Sequence, residues 1–178
     1  WSPGCSRVDV TRNVDGCGRL CVVGVGRDAL PIEVAHGVHG QLSWAGDRLA
    51  CVRSDALTPP AVVLYDTSTW QCTVLAVGGS VGWPVGGFVD PELVEIAASE
   101  ANGAGTVYAR LYRAADNGSR GLIVWLHGGP TDQWQVSFMP RIAYWRALGW
   151  NILVPDHRGS TGHGRAYHQA LSGPWGVL

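Results

Sequence analysis

The sequence has 178 residues, which suits one domain of ordinary size or parts of two. Charged residues make up 15% and apolar residues 46%, a composition that excludes a disordered chain and predicts a packed core. The formal net charge is -1 and the sequence has no basic cluster, so neither nucleic acid nor an anionic membrane surface is predicted as a partner. No apolar run approaches the roughly 20 residues needed to span a membrane.

Both ends of the sequence suggest part of a longer protein. It begins at Trp1 rather than at a methionine, and its only methionine is Met139. It ends at Leu178, directly after Pro174-Trp-Gly-Val177, without a polar tail. No charged segment followed by an apolar one marks a secretory signal, and we expect a cytoplasmic location.

Residues 1–88 carry short β-rich runs separated by turn-forming segments, a pattern typical of an all-β domain. The runs are residues 20–25, 48–53, 61–65 and 72–76. Residues 18–23 and 47–52 look like the same strand repeated, and the segment from 40 to 77 has the length of one propeller blade. One blade cannot bury its faces alone, so neighbouring blades are expected upstream.

The five cysteines all lie in the first half of the sequence: Cys5, Cys17, Cys21, Cys51 and Cys72. Their number is odd, and Cys17-x-x-x-Cys21 has no matching second pair, which disfavours a zinc site. The histidines lack a regular metal-ligand spacing, and no phosphate-binding glycine motif occurs. We therefore predict that the cysteines are small buried side chains in a reducing compartment, with no metal and no cofactor.

A glycine- and proline-rich stretch, residues 78–87, marks the predicted domain boundary. Beyond it, strands are predicted over residues 106–112, 122–126 and 150–155. A helix over 140–148 joins the last two strands, so they form a βαβ unit with parallel strands and a right-handed crossover.

The predicted helix has clear end signals. Pro140 suits its first position and Gly149 its end. The spacing of Phe138, Ile142, Trp145 and Leu148 predicts one buried stripe along it. A second helix is predicted from about residue 164 to 171.

The segment His127-Gly-Gly-Pro130 follows the predicted strand 122–126 and is the main candidate for chemistry. Glycines there let the backbone turn tightly and present an N–H without a Cβ in the way. In acyl-transfer enzymes of this build, such an N–H stabilises the negative charge of a tetrahedral intermediate. The alternative is a glycine turn required only by sheet geometry. His127 is expected to scaffold the loop, because no acidic residue at a fixed spacing marks it as a triad histidine.

A second loop, Asp156-His-Arg-Gly-Ser-Thr-Gly162, also follows a predicted strand, at the end where α/β proteins place their sites. Arg158 either orients substrate or pairs with a buried carboxylate, and we favour the pair. Ser160 lacks the first glycine of G-x-S-x-G and is predicted to be a turn residue. Ser80 does stand in a G-x-S-x-G match, but the Gly82-Trp-Pro-Val-Gly-Gly87 that follows cannot form the required helix.

The order of these motifs resembles the prolyl oligopeptidase family of serine peptidases, closest to its acylaminoacyl-peptidase and dipeptidyl-peptidase-like branch. The specific match lies within residues 89–178. It comprises Val89-Asp-Pro-Glu-Leu-Val94, His127-Gly-Gly-Pro130, Asp156-x-Arg-Gly-Ser-Thr-Gly-x-Gly164, Arg165-Ala-Tyr167 and Gly173-Pro-Trp-Gly-Val177. Residues 42–50 resemble a signature of propeller blades in many hydrolases, which is less specific.

The resemblance implies a β-propeller capping an α/β-hydrolase domain. Residues 1–88 would be the end of the propeller and residues 89–178 the N-terminal part of the hydrolase domain. It also implies acyl-enzyme hydrolysis of short peptides, with Gly129 as the first oxyanion donor and Gly128 supporting the loop. The nucleophile, aspartate and histidine would lie beyond Leu178, so the 178 residues alone are predicted to be inactive. Homo-oligomer formation is left open.

Two other functions fit part of the pattern. An esterase or lactone hydrolase could use the same fold, although the blade-like segment counts against it because simple esterases lack such a cap. A non-catalytic propeller protein with a degenerate hydrolase domain could bind peptides. A strand, a G-x-S-x-G turn and a helix beyond Leu178 would favour an enzyme.

Overall fold

The computed structural model describes residues 2, 4–26, 28–79, 87–98, 105–116, 120–129 and 131–172, and most of their regular structure is β-sheet. Two compact units divide the chain. Unit 1 comprises Trp1–Trp83 with Gln135–Phe138, and unit 2 comprises Pro84–Trp134 with Met139–Leu178. The assignment of residues 1–88 to a propeller and 89–178 to a hydrolase domain stays a prediction.

Unit 1 contains two antiparallel sheets. The first has the order β1-β2-β3 and the second the order β4-β5-β6-β7. Their strands are β1 (Arg7–Val14), β2 (Cys17–Gly24), β3 (Ile32–His36), β4 (Val38–Ala45), β5 (Arg48–Ser54), β6 (Ala61–Asp66) and β7 (Cys72–Val77). The second sheet is a four-stranded meander with the strand number of one propeller blade, as the segment from residue 40 to 77 predicted.

Tight turns set the register of both sheets. Asp15 and Gly16 both have positive φ, 52° and 81°, and form a two-residue hairpin between the paired residues Val14 and Cys17. Such a turn favours Asp-Gly because both central residues take left-handed backbone conformations. In the repeated segments, Leu20 and Leu49 occupy equivalent positions, and both are fully buried in one core with Cys51, Val63 and Tyr65.

The cysteine prediction is only partly correct. Cys21 and Cys51 are buried, whereas Cys5 and Cys72 are exposed. Burial raises the pKa of the Cys51 thiol to about 11, which keeps it protonated and unreactive near neutral pH.

Unit 2 contains a mixed sheet with the order β10-β11-β9-β8. Its elements are β8 (Glu92–Ala98), β9 (Gly105–Tyr112), β10 (Gly121–Val124), α1 (Pro140–Ala147), β11 (Trp150–Asp156) and α2 (Arg165–Gln169). β10 and β11 pair in parallel, as the predicted βαβ unit requires, and the other pairs are antiparallel. One core joins Tyr112, Ile142, Ile152 and Val154.

Helix α1 begins at Pro140 and is followed by Gly149 with φ +84°, as predicted. The predicted buried stripe, however, is only partly correct. The buried side chains of α1 are Ile142, Ala143 and Arg146, whereas Trp145 and Leu148 are 37% and 38% exposed. Arg146 is drawn inward because its guanidinium donates hydrogen bonds to the carbonyl oxygens of Arg113 and Gly87, both at 2.5 Å.

No helix within the described part of the chain is both long and apolar enough to cross a membrane.

Candidate active site

The two loops singled out in the sequence lie at the same edge of the unit 2 sheet. β10 and β11 run parallel, and Trp125 N–H extends their pairing by donating to Leu153 O at 2.8 Å. The carboxyl ends of parallel strands meet at one edge, where α/β proteins bind their ligands. We call residues 125–134, after β10, the glycine loop, and residues 156–164, at the end of β11, the second loop.

Gly128 and Gly129 are exposed at the tip of the glycine loop. Within the described residues, no atom accepts a hydrogen bond from the Gly129 N–H. A Cβ added to Gly128 would meet nothing within 4 Å. The tip therefore presents backbone to open space, which an anion-binding N–H requires. Pro130 lies outside the described residues.

His127 is buried at the start of the glycine loop, and both ring nitrogens are engaged. Nδ1 lies 2.7 Å from the carbonyl oxygen of Gly128, and Nε2 lies 2.7 Å from the hydroxyl of Ser160. Its ring also stacks on His157, with 4.2 Å between the ring centroids. These contacts agree with the predicted scaffold role, because neither nitrogen is left to move a proton.

The Ser160–His127 distance alone resembles the nucleophile–base pair of a hydrolase, but the surroundings exclude that role. Ser160 is fully buried, so no substrate reaches its hydroxyl. The hydroxyl also lies 2.6 Å from His157 O, a second acceptor that competes with His127 Nε2 for its single proton. Ser160 N–H also donates to His157 O, at 3.0 Å, which closes the turn predicted around this serine.

Asp156, at the end of β11, is the charged centre beneath the second loop. Its carboxylate is fully buried and accepts two hydrogen bonds from Arg110 of β9, at 2.6 and 2.7 Å. Gln133 Nε2 and His163 Nε2 donate to the same carboxylate at 2.5 and 2.7 Å. Burial acts to raise the pKa of Asp156, but these hydrogen bonds and the Arg110 charge together hold it below the ordinary value.

This network adds residues that the sequence did not indicate. The buried carboxylate of Asp156 is paired by Arg110, and the role of Arg158 stays a prediction. Gln133 belongs to the glycine loop, so its bond to Asp156 joins the two loops, as does the bond from Thr161 N–H to Asp132 O at 3.2 Å. No fixed sequence spacing connects these partners, because strand pairing and contacts between the two loops bring them together.

Two tryptophans at the two ends of the glycine loop pack against each other. Trp125 and Trp134 lie with ring centroids 5.3 Å apart. The guanidinium of Arg141, on α1, lies over both rings, at 4.3 and 4.4 Å from their centroids. Such cation–π contacts stabilise the closed base of the loop by roughly 0.5–1 kcal/mol each.

Some predicted site residues cannot be placed. Ser80 and the Gly173–Val177 segment lie outside the described residues. No group of three or more histidine, cysteine, aspartate or glutamate side chains suited to a metal ion occurs among the residues that are described.

The sequence is similar to curated peptidases over part of its length. It is 40% identical over 58 residues to acylamino-acid-releasing enzyme 1 of Oryza sativa subsp. japonica and 33% identical over 82 residues to the acylamino-acid-releasing enzyme of Arabidopsis thaliana. These matches cover 33% and 46% of this chain but only 8% and 11% of the two relatives. No family model matches the chain.

The fold is similar to that of solved peptidases. A puromycin-hydrolyzing peptidase of Mycobacterium tuberculosis superposes with a TM-score of 0.74 at 24% identity, over 93% of this chain and 26% of that one. An acylaminoacyl peptidase of Pyrococcus horikoshii gives a TM-score of 0.68 at 18% identity, over 96% and 26% of the two chains. In these parts, the chain is similar in sequence and in fold to peptidases of the prolyl oligopeptidase family.

Proposed function

We propose that the whole protein is a serine peptidase that cleaves short peptides through an acyl-enzyme, with the Gly129 N–H in its oxyanion hole. The observation that carries this proposal is the glycine loop. It projects from the carboxyl end of β10 with an exposed tip, and its Gly129 N–H has no acceptor among the described residues. A donor fixed in this way stabilises the negative charge that develops on the carbonyl oxygen when a nucleophile attacks.

The proposal divides the chemistry between this chain and residues beyond it. The serine, aspartate and histidine of the triad are proposed to follow Leu178, in an α/β-hydrolase domain that begins near residue 89. The mixed sheet supports this, because the parallel pair β10 and β11 places two loops at the edge where such domains hold their reacting groups.

Substrate choice is proposed from the named relatives. Two of them are called acylamino-acid-releasing enzymes, so an N-acetyl-aminoacyl p-nitroanilide is the first substrate to assay with the whole protein. Release of p-nitroaniline that stops after treatment with a serine-directed fluorophosphonate supports a serine peptidase. Hydrolysis of p-nitrophenyl esters without any cleavage of the anilide would contradict the peptidase assignment.

The oxyanion role of Gly129 is tested by removing its N–H. We expect Gly129→Pro in the whole protein to lower kcat by about 10²–10³, because one donor to the transition state is lost. Gly128→Ala is the matched variant, since it keeps every N–H and its Cβ would meet nothing within 4 Å, and its loss should be far smaller. A folded Gly129→Pro protein with near-wild-type kcat would reject the role.

A further inference from the structure

We propose that Ser160 is a positioning residue that sets the direction of the Gly129 N–H through His127. The inference rests on the proposed function, since the direction of that N–H matters only if it binds an oxyanion. The contacts themselves stand whether or not the protein is a peptidase.

The chain of contacts starts at the buried hydroxyl of Ser160. The hydroxyl lies within hydrogen-bond distance of both His157 O, at 2.6 Å, and His127 Nε2, at 2.7 Å. The next residue is fixed against the glycine loop as well, since Thr161 N–H donates to Asp132 O. Gly159, with φ +92°, lies so close to Leu171 that an added Cβ would clash with Leu171 Cδ1. The turn that carries Ser160 is therefore packed on several sides.

His127 passes this constraint to the loop tip. With Nε2 bound to Ser160, the opposite nitrogen, Nδ1, donates to Gly128 O at 2.7 Å. Gly128 O and Gly129 N–H belong to the same peptide unit. Because that unit is planar and normally trans, the N–H points opposite to the carbonyl oxygen. Fixing Gly128 O toward the buried ring therefore turns the Gly129 N–H away from it.

The hydrogen bonds also explain why a hydroxyl is required at position 160. With the Nδ1 proton directed at Gly128 O, Nε2 needs a donor, and the Ser160 hydroxyl lies 2.7 Å from it. Alanine has no hydroxyl, so His127 Nε2 loses its hydrogen-bond partner in a buried site and the ring loses one of its two anchors. The peptide unit between Gly128 and Gly129 is then free to rotate.

The first test compares Ser160→Ala with the unaltered whole protein in two kinds of binding. A peptide aldehyde forms a hemiacetal whose oxygen occupies the oxyanion hole, whereas the matching peptide alcohol does not. In Ser160→Ala we expect the Ki of the aldehyde to rise by about tenfold to 100-fold and kcat/KM to fall in parallel, while the Ki of the alcohol stays unchanged. Complete loss of one oxyanion donor, which costs ~10²–10³, sets the upper limit of the effect. Equal weakening of both inhibitors, or of neither, would overturn the proposal.

A second measurement does not depend on activity. In protein labelled with ¹⁵N-glycine, the amide signal of Gly129 should move or broaden in Ser160→Ala because its peptide unit then rotates, while the signals of Gly18 and Gly24 in β2 stay unchanged. An unchanged Gly129 signal overturns the positioning role. An unaltered protein that neither cleaves peptides nor binds the aldehyde overturns the proposed function instead, and the Gly129 signal still decides whether Ser160 positions the loop.

Two further variants separate positioning from general destabilisation. His127→Phe keeps a ring but removes both nitrogens, and it should reproduce the inhibitor pattern of Ser160→Ala. Thr67→Val removes another buried hydroxyl, which donates to Asp47 O at 2.7 Å in unit 1, and should leave both inhibitors unaffected. A His127→Phe protein that binds the aldehyde as tightly as the unaltered one would contradict the role of the ring.

Discussion

Arg110 and Asp156 show how much depends on single side chains in unit 2. Their side chains are 2% and 0% exposed, so each charge relies on the other for compensation. We predict that Arg110→Met lowers the free energy of unfolding by about 3–5 kcal/mol, because it leaves a buried carboxylate without its cation. Guanidinium unfolding followed by tryptophan fluorescence measures the loss.

The chain offers a matched control for this prediction. Arg113 makes the same two-pronged pair with Glu92, at 2.6 and 2.7 Å, but the side chains are 64% and 52% exposed. Water and salt screen that pair, so Arg113→Met should change stability little. Equal losses for the two variants would show that burial does not decide the contribution of the ion pair.

The acid response of the Asp156 carboxylate has a definite sign. Its pKa in the folded protein lies below the ordinary value, so the stability it contributes is present above that ordinary value. The contribution decreases as the pH falls from there through the folded-state pKa, because protonation removes the charge that Arg110 compensates.

Single residues also show what the sequence could predict about the site. The exposed Gly128 and Gly129 could be found because a glycine pair after an apolar strand is a local signal. The buried roles of Ser160 and Gln133 could not, because their partners lie 33 and 23 residues away in the sequence. Arg110 was not singled out for the same reason, because β9 brings it to Asp156 only through strand pairing.

At the level of elements, the contact between the second loop and the glycine loop is steric as well as polar. Gly162 has φ +89°, and a Cβ there would fall 2.5 Å from Gln133 Oε1. We predict that Gly162→Ala costs roughly 1–2 kcal/mol for the left-handed backbone. It should cost about 1–3 kcal/mol more because Gln133 loses its buried hydrogen bond to Asp156. Thermal unfolding gives the sum.

A double-mutant cycle isolates the second part of that cost. In a Gln133→Ala background the clash is absent, so Gly162→Ala should lower the free energy of unfolding only by the cost of its left-handed backbone conformation. If the two substitutions lower the free energy of unfolding additively, Gly162 and Gln133 are not in steric contact.

Strands and helices were predicted best where local chemistry and burial agree. The runs at β5, β6, β7 and β11 combine β-branched or apolar residues with clear turns, and each begins at the predicted residue. β1 and β3 were not singled out, because the alternating Arg, Asp and Glu side chains of strands at or near a sheet edge weaken the apolar signal. In α1 the spacing of apolar residues wrongly placed Trp145 in the core. Nothing in the sequence signals that Arg146 is buried there by donating hydrogen bonds to backbone carbonyl oxygens.

At the scale of the whole molecule, one face of β10 is apolar and exposed. Leu122, Val124 and Leu126 alternate along one face, and each is at least 50% exposed. Contiguous apolar patches of this kind are rare on soluble proteins. Since the chain spans only 26% of the solved peptidases named above, we expect other residues of the same polypeptide to bury this face.

Val124→Thr tests that expectation, because it preserves shape and β-branching while adding one hydroxyl. If the face is buried in the whole protein, the hydroxyl loses its water without gaining a partner, and the free energy of unfolding should fall by about 1–3 kcal/mol. Val25→Thr, at a 62% exposed position beyond the end of β2, is the reference and should stay within about 0.5 kcal/mol of the unaltered protein. If both variants are equally harmless, the face stays in contact with water and the sheet needs no further cover on that side.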